Sequence, residues 1–406
     1  MKEIRKIFNI NRRKNKEKGT FTTIEVVIIS FSLAVITGVV SGYLVYSFNS
    51  SKMDSKEVAD IISTFEHITD EYYEEVDYGE LADAAIDGML SYLDESYSKH
   101  LSDDATIDLT DKLDGSYKGI GIAIIKTDDG LFIDKVYADT PASEAGLKES
   151  DQILNINGTE ITSEMKLDDV QNIIDEDDEA ISMIVNRDGE QLSFEVKREE
   201  IDSPVVEYEI FERNSEKIGY IYLSTFSNTA YDQVSQALDA LEDDGITSLV
   251  FDLRSNTGGY LNSAKDIASL FLKRGKVIYS LETKDKTSEV KDNTKEYRTY
   301  PIVVLVNGAT ASASEILTAA LKESYGAIVV GTKTYGKGKV QQTSKLSDDT
   351  VIKYTTAMWY TPSGESIDEV GITPGVIVEL DSKYYQDATY ENDNQLQTAL
   401  SVLSES

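Results

Sequence analysis

Ile302-Val303-Val304-Leu305-Val306-Asn307-Gly308-Ala309-Thr310-Ala311-Ser312-Ala313-Ser314-Glu315 carries three signals in order. The first five residues are aliphatic and mostly β-branched, the short apolar run of a strand buried on both faces. Asn307 to Ala311 is a turn of small residues. Ser312, with Glu315 three positions on, is a capping box that opens a helix. A strand that turns tightly into a helix exposes one serine above the strand end, as a nucleophile elbow does. Helix cap and nucleophile are compatible roles for Ser312, because the Ala313 N–H at a helix start is also a ready oxyanion donor. Ser314 is the alternative nucleophile.

Outward from this stretch, strand-like runs alternate with helical ones between residues 218 and 380. Ile218 to Leu223, Ser248 to Leu253 and Ile328 to Val330 join Ile302 to Val306 as strands; Ala230 to Leu241, Ser263 to Phe271 and Ala313 to Glu323 are helical. Such alternation predicts a layered α/β domain. Lys284 to Arg298 is charged and aperiodic and is expected as an exposed excursion. Gln395 to Leu403 forms one more short helix near the end.

A serine nucleophile needs a base. The chain has only two histidines, His67 and His100, both far upstream, so lysine must supply the base if Ser312 acts. Lys337 is the candidate, in Gly331-Thr332-Lys333-Thr334-Tyr335-Gly336-Lys337-Gly338-Lys339-Val340-Gln341. A lysine becomes a base when desolvation lowers its pKa by several units. Two rival readings are a solvated basic loop and a phosphate loop. The second fits poorly, because Gly338 stands where a Ser/Thr magnesium ligand is required and Val340 to Leu346 is strand-like.

Between 115 and 198 the pattern changes to short β runs: Ile120 to Ile125, Leu131 to Val136, Ile153 to Ile156, Ile181 to Val185 and Leu192 to Val196. Ahead of the first, Tyr117-Lys118-Gly119-Ile120-Gly121-Ile122 lets successive N–H groups point into one concavity, which suits a carboxylate. An ordinary glycine turn is the plainer reading, and a dinucleotide fingerprint lacks its third glycine at Ile124. With Thr140-Pro141-Ala142-Ser143-Glu144-Ala145-Gly146-Leu147 and Ser150-Asp151-Gln152-Ile153-Leu154-Asn155-Ile156-Asn157-Gly158, the segment resembles a PDZ domain. By that resemblance, Gly119, Ile120, Gly121 and Ile122 receive a peptide's terminal carboxylate while the peptide adds as a strand.

The 406 residues hold 39 Lys+Arg and 73 Asp+Glu, a net charge of −34, which excludes nucleic acid as a partner. Without cysteine there is no disulfide, thiolate or cysteine-ligated metal. Charge is uneven: up to Phe48 there are eight basic and three acidic residues, leaving 31 basic and 70 acidic for the remainder. Val26 to Phe48 is a run of 23 uncharged, mostly apolar residues. As a helix it would span ~34 Å, enough for a bilayer core. The basic residues before it predict a signal anchor with a cytoplasmic N-terminus. A cleaved signal peptide fits less well, having a shorter apolar core and a small-residue cleavage site. Residues 54 to 101 read as helices, with Val58, Ile61, Ile62, Phe65 and Ile68 and then Leu81, Ala84, Ala85, Ile86 and Leu90 at helical spacing, and nothing catalytic is visible there.

Four ordered segments carry a wider resemblance: Asp252-Leu253-Arg254-Ser255-Asn256-Thr257-Gly258-Gly259, Ala311 to Glu315, Thr334 to Gln341, and Tyr360-Thr361-Pro362-Ser363-Gly364. Together they look like the carboxyl-terminal processing peptidases, or tail-specific proteases, serine endopeptidases with a Ser/Lys dyad and an embedded PDZ domain. The likeness runs from about residue 57 to 403. It implies Ser312 as nucleophile, Lys337 as general base, Gln341 as the residue that orients the lysine, and an oxyanion hole from the N–H groups of Ala313 and Gly258, with Gly259 adjacent. The 25-residue step from Ser312 to Lys337 agrees with the family. Thr257, Glu95 and Gly375 depart from frequent proline, proline and aspartate, and Asp175 and Glu176 are acids where relatives often carry a basic residue.

The expected chain is thus α/β and α+β multidomain. Its parts are a cytoplasmic basic segment (1–23), a transmembrane signal anchor (24–48), a helical N-terminal region (54–114), a PDZ domain (115–198), a layered α/β peptidase core (199–380) and a C-terminal helical tail (381–406). It is expected to cleave extracytoplasmic proteins that present apolar C-termini, through an acyl-enzyme, with neither metal nor cofactor. The resemblance further implies a homodimer. The competing expectation is a PDZ-bearing extracellular scaffold whose peptidase fold is silent.

Overall fold

A computed structural model describes residues 55–102, 113–175, 180–346 and 350–405. The anchor expected over 24–48 lies outside these residues. Among the described residues no helix is long and apolar enough to cross a membrane. The described residues fall into two compact units, divided between Gly88 and Met89.

In the first unit, α1 (Lys56–Glu71) is capped by Ser55, whose hydroxyl accepts the Val58 N–H at 3.2 Å. α2 (Tyr78–Ser91) is capped by Asp77, whose carboxylate accepts the Gly79 and Glu80 N–H groups at 2.8 and 3.0 Å. The Phe65 and Tyr78 rings meet at 6.0 Å. Helix does not continue to 101 as expected, because Lys99–Leu101 is a strand, β1, paired with a distant segment.

The second unit continues with β2 (Ser116–Gly119), β3 (Ile122–Thr127), β4 (Gly130–Val136), α3 (Pro141–Ala145), β5 (Gln152–Ile156), β6 (Thr159–Glu160), α4 (Leu167–Asp175), β7 (Ala180–Arg187), β8 (Glu190–Lys197) and β9 (Glu199–Asp202). Strands β3, β4, β5, β7 and β8 form one antiparallel sheet over a core that includes Leu131, Ile133, Ile153, Ile156, Ile181 and Val185. These are the apolar runs that the sequence shows.

The chain then forms β10 (Val206–Arg213), β11 (Glu216–Leu223), α5 (Ala230–Asp243), β12 (Ser248–Asp252), α6 (Leu261–Ser269), β13 (Val277–Thr283), β14 (Thr287–Lys291) and β15 (Ile302–Val306). It ends with α7 (Ala313–Ala319), β16 (Ile328–Gly331), β17 (Lys339–Lys345), β18 (Val351–Tyr360), β19 (Val376–Ile377), α8 (Ser382–Gln386) and α9 (Asn394–Ser404).

A six-stranded sheet runs β10-β11-β12-β15-β16-β19, parallel except for β10. Alternation along the strands sends Ile221, Leu223, Leu249, Phe251 and Val304 to one face, against apolar residues of α5, α6 and α7. Ile218, Tyr220, Val250, Val303 and Leu305 go to the other, against Leu396, Ala399, Leu400 and Leu403 of α9. The C-terminal helix is therefore a structural layer. All five residues of β12 and of β15 are buried; β15 is accordingly apolar throughout, and β12 is apolar from Leu249 to Phe251 between the buried polar ends Ser248 and Asp252.

A second sheet is centred on β18, which pairs with β1, β13 and β17, while β14 extends it from β13. β14 corrects the expected excursion over 284–298: its side chains are mostly exposed, so no apolar alternation marks it, and backbone pairing to β13 makes the strand. The helix expected over 313–323 becomes a π turn at Ala320–Tyr325.

Candidate active site

The turn after β15 is pinned at several points. The Thr310 hydroxyl donates to Leu253 O at 2.8 Å, and the Ala311 N–H to Asn256 O at 3.0 Å. Ser312 then takes φ +58° and ψ −116°, left-handed backbone that costs about 1–3 kcal/mol for a residue with a side chain and persists only where its surroundings impose it. This is the strained strand-to-helix turn of a nucleophile elbow. Ser314, the alternative nucleophile, is 0% exposed, and its hydroxyl donates to Asn256 O at 2.9 Å. Of the two, Ser312 lines the cleft.

Glu315 does more than cap the helix. It is 0% exposed, and its carboxylate accepts the Ser312 N–H at 2.9 Å, the Thr334 hydroxyl at 2.6 Å, the Gly336 N–H at 2.7 Å and the Lys337 N–H at 2.9 Å. One buried anion therefore holds both the serine turn and the lysine loop. The same contacts dispose of the phosphate-loop reading: the loop amides are turned to a protein carboxylate, and the chain beyond Lys337 enters β17 rather than a helix.

Ser312, Ala313, Gly258, Lys337 and Gln341 line one cleft of about 940 Å³. Burial lowers the pKa of the Lys337 amine and nearby Lys353 lowers it further, against an opposing pull from Glu315. Its Nζ lies 5.1 Å from the centre of the Tyr97 ring, and Lys339 Nζ lies 5.5 Å from the same ring. Burial, with help from Tyr335, pushes the Tyr97 hydroxyl up to about 12. Among the described residues no hydrogen bond joins Lys337 Nζ to Ser312 Oγ.

Two expected contacts are not made. Gln341 does not hydrogen-bond Lys337: it sits at a bulge between β17 and β18, and its Nε2 donates to Lys339 O at 3.1 Å and Thr355 Oγ1 at 3.5 Å. The Gly258 N–H, expected in the oxyanion hole, donates to Asn256 Oδ1 at 2.8 Å. Asn256 is fully buried, so its carboxamide must be satisfied within the protein; its Nδ2 donates to Leu223 O at 2.8 Å. Ala313, the first residue of α7, leaves its N–H without an intrahelical acceptor. Gly258 nonetheless packs on the nucleophile turn. At φ +106° a Cβ there would lie 2.9 Å from Ser312 Cβ and 3.1 Å from Ala313 N.

Sequence reasoning noted Glu95 only as a departure from proline and passed over Tyr97 and Lys353. Glu95 accepts the Ser98 hydroxyl and pairs with Lys339 Nζ at 3.4 Å. Glu95 and Tyr97 come to Lys339 and Lys337 just ahead of β1, which pairs with β18 across some 250 residues, a contact that no local pattern announces; Lys353 sits in β18 and is placed at the cleft by the β17–β18 pairing. His100 bonds Thr350 Oγ1 at 3.0 Å, and neither histidine lines the cleft.

Gly119, Ile120, Gly121 and Ile122 line a second cavity, of about 440 Å³, faced by Leu167, Gln171 and Ile174 of α4. Gly121 has φ +84°, and a Cβ there would lie 2.3 Å from Thr140 Cβ, so glycine is required. Arg198, 9% exposed, joins the two walls: it donates to Lys118 O at 2.8 Å and to Asp175 O, at the end of α4, at 3.2 Å, and pairs with the Asp175 carboxylate.

Residues 217–378 match the profile of peptidase family S41, residues 119–197 that of the PDZ domain, and residues 41–105 that of the activating protease CtpB N-terminal domain. Over 376 residues the chain is 31% identical to a probable CtpA-like serine protease of Staphylococcus aureus (strain COL), covering 91% of this chain and 75% of that protein. Over 361 residues it is 34% identical to the carboxy-terminal processing protease CtpA of Bacillus subtilis (strain 168), covering 86% and 77%. A solved structure of a putative S41 protease from Bacteroides fragilis NCTC 9343 is similar in fold, with TM-score 0.52 and 21% identity over 82% of this chain and 92% of that one. The chain belongs to peptidase family S41, as a PDZ-bearing, serine-type carboxy-terminal processing endopeptidase.

Proposed function

We propose that Ser312 and Lys337 form the catalytic dyad of a membrane-anchored endopeptidase that takes extracytoplasmic proteins by apolar C-terminal tails. The observation that carries this reading is the Glu315 carboxylate, which ties the strained Ser312 turn to the Lys337 loop inside one cleft. Lys337, its pKa lowered by burial, takes the Ser312 proton as Oγ attacks the scissile carbonyl. The Ala313 N–H receives the developing oxyanion, joined by Gly258 once its N–H leaves Asn256. The lysine returns its proton to the departing amine, and water then hydrolyses the acyl-serine. Before the first step, the Lys337 side chain has to leave the Tyr97 ring, give up its ammonium proton to solvent and rotate toward Ser312 as the neutral amine.

The groove between Gly119–Ile122 and α4 selects the tail. The uncharged run 26–48 and the basic residues before it support a single anchor with the N-terminus cytoplasmic; tag accessibility on intact cells tests that orientation. The dyad is tested with the full-length chain in detergent and a peptide with an apolar C-terminus. Ser312→Ala and Lys337→Ala should each reduce kcat by about 10³-fold or more, and equal turnover by wild type and either variant would reject the dyad. A serine-reactive probe should label Ser312; an unlabelled chain would favour a silent scaffold.

A further inference from the structure

Lys353 stands within β18, opposite Lys99 of β1 on one side and Thr343 of β17 on the other. Residues directly opposite across antiparallel strands share a face of the sheet, and like charges so placed repel. Lys353 and Thr343 line the cleft that holds Ser312 and Lys337. Among the described residues neither Lys99 nor Lys353 has an acidic partner, in a chain with 73 acidic residues against 39 basic. Lys339, by contrast, is paired with Glu95. Lys353 is half-buried, and burial and Lys99 both disfavour its charged form. An ammonium withdrawn from water beside another cation is stabilised by an anion.

β17, which also lines this cleft, pairs only with β18 among the described residues, leaving its other edge open to an extended peptide. We propose that Lys353 is a carboxylate-binding subsite of the cleft, reading an acidic side chain or a free α-carboxylate on the substrate segment that runs along β17. The inference rests on the reading of this cleft as the site of cleavage and adds a charge preference to it.

The test uses the full-length Ser312→Ala chain, which binds without turnover, and amidated apolar peptides, so that no terminal carboxylate enters the groove at Gly119–Ile122. A single Glu is walked along the peptide and compared with Gln at each position. At one position Glu should bind about tenfold more tightly than Gln, and that ratio should fall to about one when Lys353→Met is added and survive with Lys353→Arg. A Gln peptide with a free C-terminus that gains affinity only when Lys353 is present would assign the α-carboxylate as the source. A Glu preference unchanged by Lys353→Met, or by Lys353→Gln where the first variant does not fold, overturns the proposal. So does the absence of any Glu or α-carboxylate preference in Ser312→Ala itself, which needs no change at 353. Turnover of the same peptides by wild type judges the dyad separately: cleavage without charge preference removes the subsite alone, and charge-selective binding without cleavage removes the dyad alone.

Discussion

The Glu315 carboxylate oxygen that accepts the Lys337 N–H at 2.9 Å is the one that accepts the Ser312 N–H, also at 2.9 Å. Ser312 and Lys337 thus hang their backbones on a single atom contributed by neither. The backbone relation of the two residues is fixed by this bridge, and what is left to move is the Lys337 side chain, which rests over Tyr97. A long, flexible side chain on an anchored backbone permits such a movement without unfolding any element.

Glu315→Gln keeps the size of the side chain but turns one acceptor oxygen into a donor amide. Two of the four donors that meet Glu315 then face a group that cannot accept from them, at about 1–3 kcal/mol each. A lower Tm and a fall in kcat/KM of about 10²-fold are expected, since small displacements of reacting groups have effects of that size. Thermal denaturation and peptide kinetics on the same preparation check both, and near-wild-type values of both would show that the bridge is dispensable.

The pH–rate profile carries the sign of the Lys337 environment. Burial and Lys353 lower its pKa and Glu315 raises it, and in the proposed mechanism the neutral amine is the active base. kcat/KM should therefore rise with pH through the lowered pKa. Lys353→Met removes a like charge, so the rise should move to higher pH; Glu315→Gln removes a counter-charge, so it should move to lower pH. Stability follows the same linkage. Protonated Lys337 is disfavoured in the fold relative to the unfolded chain, so its penalty is full below the folded pKa and vanishes as pH climbs to the unfolded value. Shifts of both variants in one direction would contradict this arrangement.

Gly258→Ala meets two obstacles, backbone at φ +106° and a Cβ 2.9 Å from Ser312 Cβ. Backbone strain of about 1–3 kcal/mol and a displaced serine turn are expected, with kcat reduced far more than KM is raised. Steady-state kinetics separates the two parameters.

Gly121→Val places a branched side chain where even a Cβ would lie 2.3 Å from Thr140. Binding of a peptide with a free apolar C-terminus should weaken by tenfold or more, as it should when the wild-type chain is offered the amidated peptide. Labelling of Ser312 by a small serine-reactive probe should be unchanged, because Gly121 and Ser312 line different cavities. Parallel loss of labelling would show that the variant acts through the cleft instead of the groove.

The strand, turn and helix around Ser312 were legible because all three signals are local: a continuous apolar run, small residues, and a cap three positions before its acid. The buried strands β12 and β15 and the amphipathic helices flanking them were legible for the same reason. β14 was not, since exposed strands of mixed charge leave no period. Nor were the approach of Tyr97 to Lys337 and the meeting of Lys99 with Lys353, which come with the pairing of β1 with β18.

By itself the sequence determined the layered architecture, the serine at an elbow, the lysine in a glycine-flanked loop and the glycine turn ahead of β3, because each follows from residue type and short-range spacing. Tertiary structure alone decided that Glu315 joins the Ser312 turn to the Lys337 loop, that Asn256 takes the Gly258 N–H, that the Lys337 amine rests over Tyr97 and that two lysines face each other beside the cleft. Those contacts join segments distant in the chain or depend on which of several available partners a buried polar group meets, and neither is encoded by any local period.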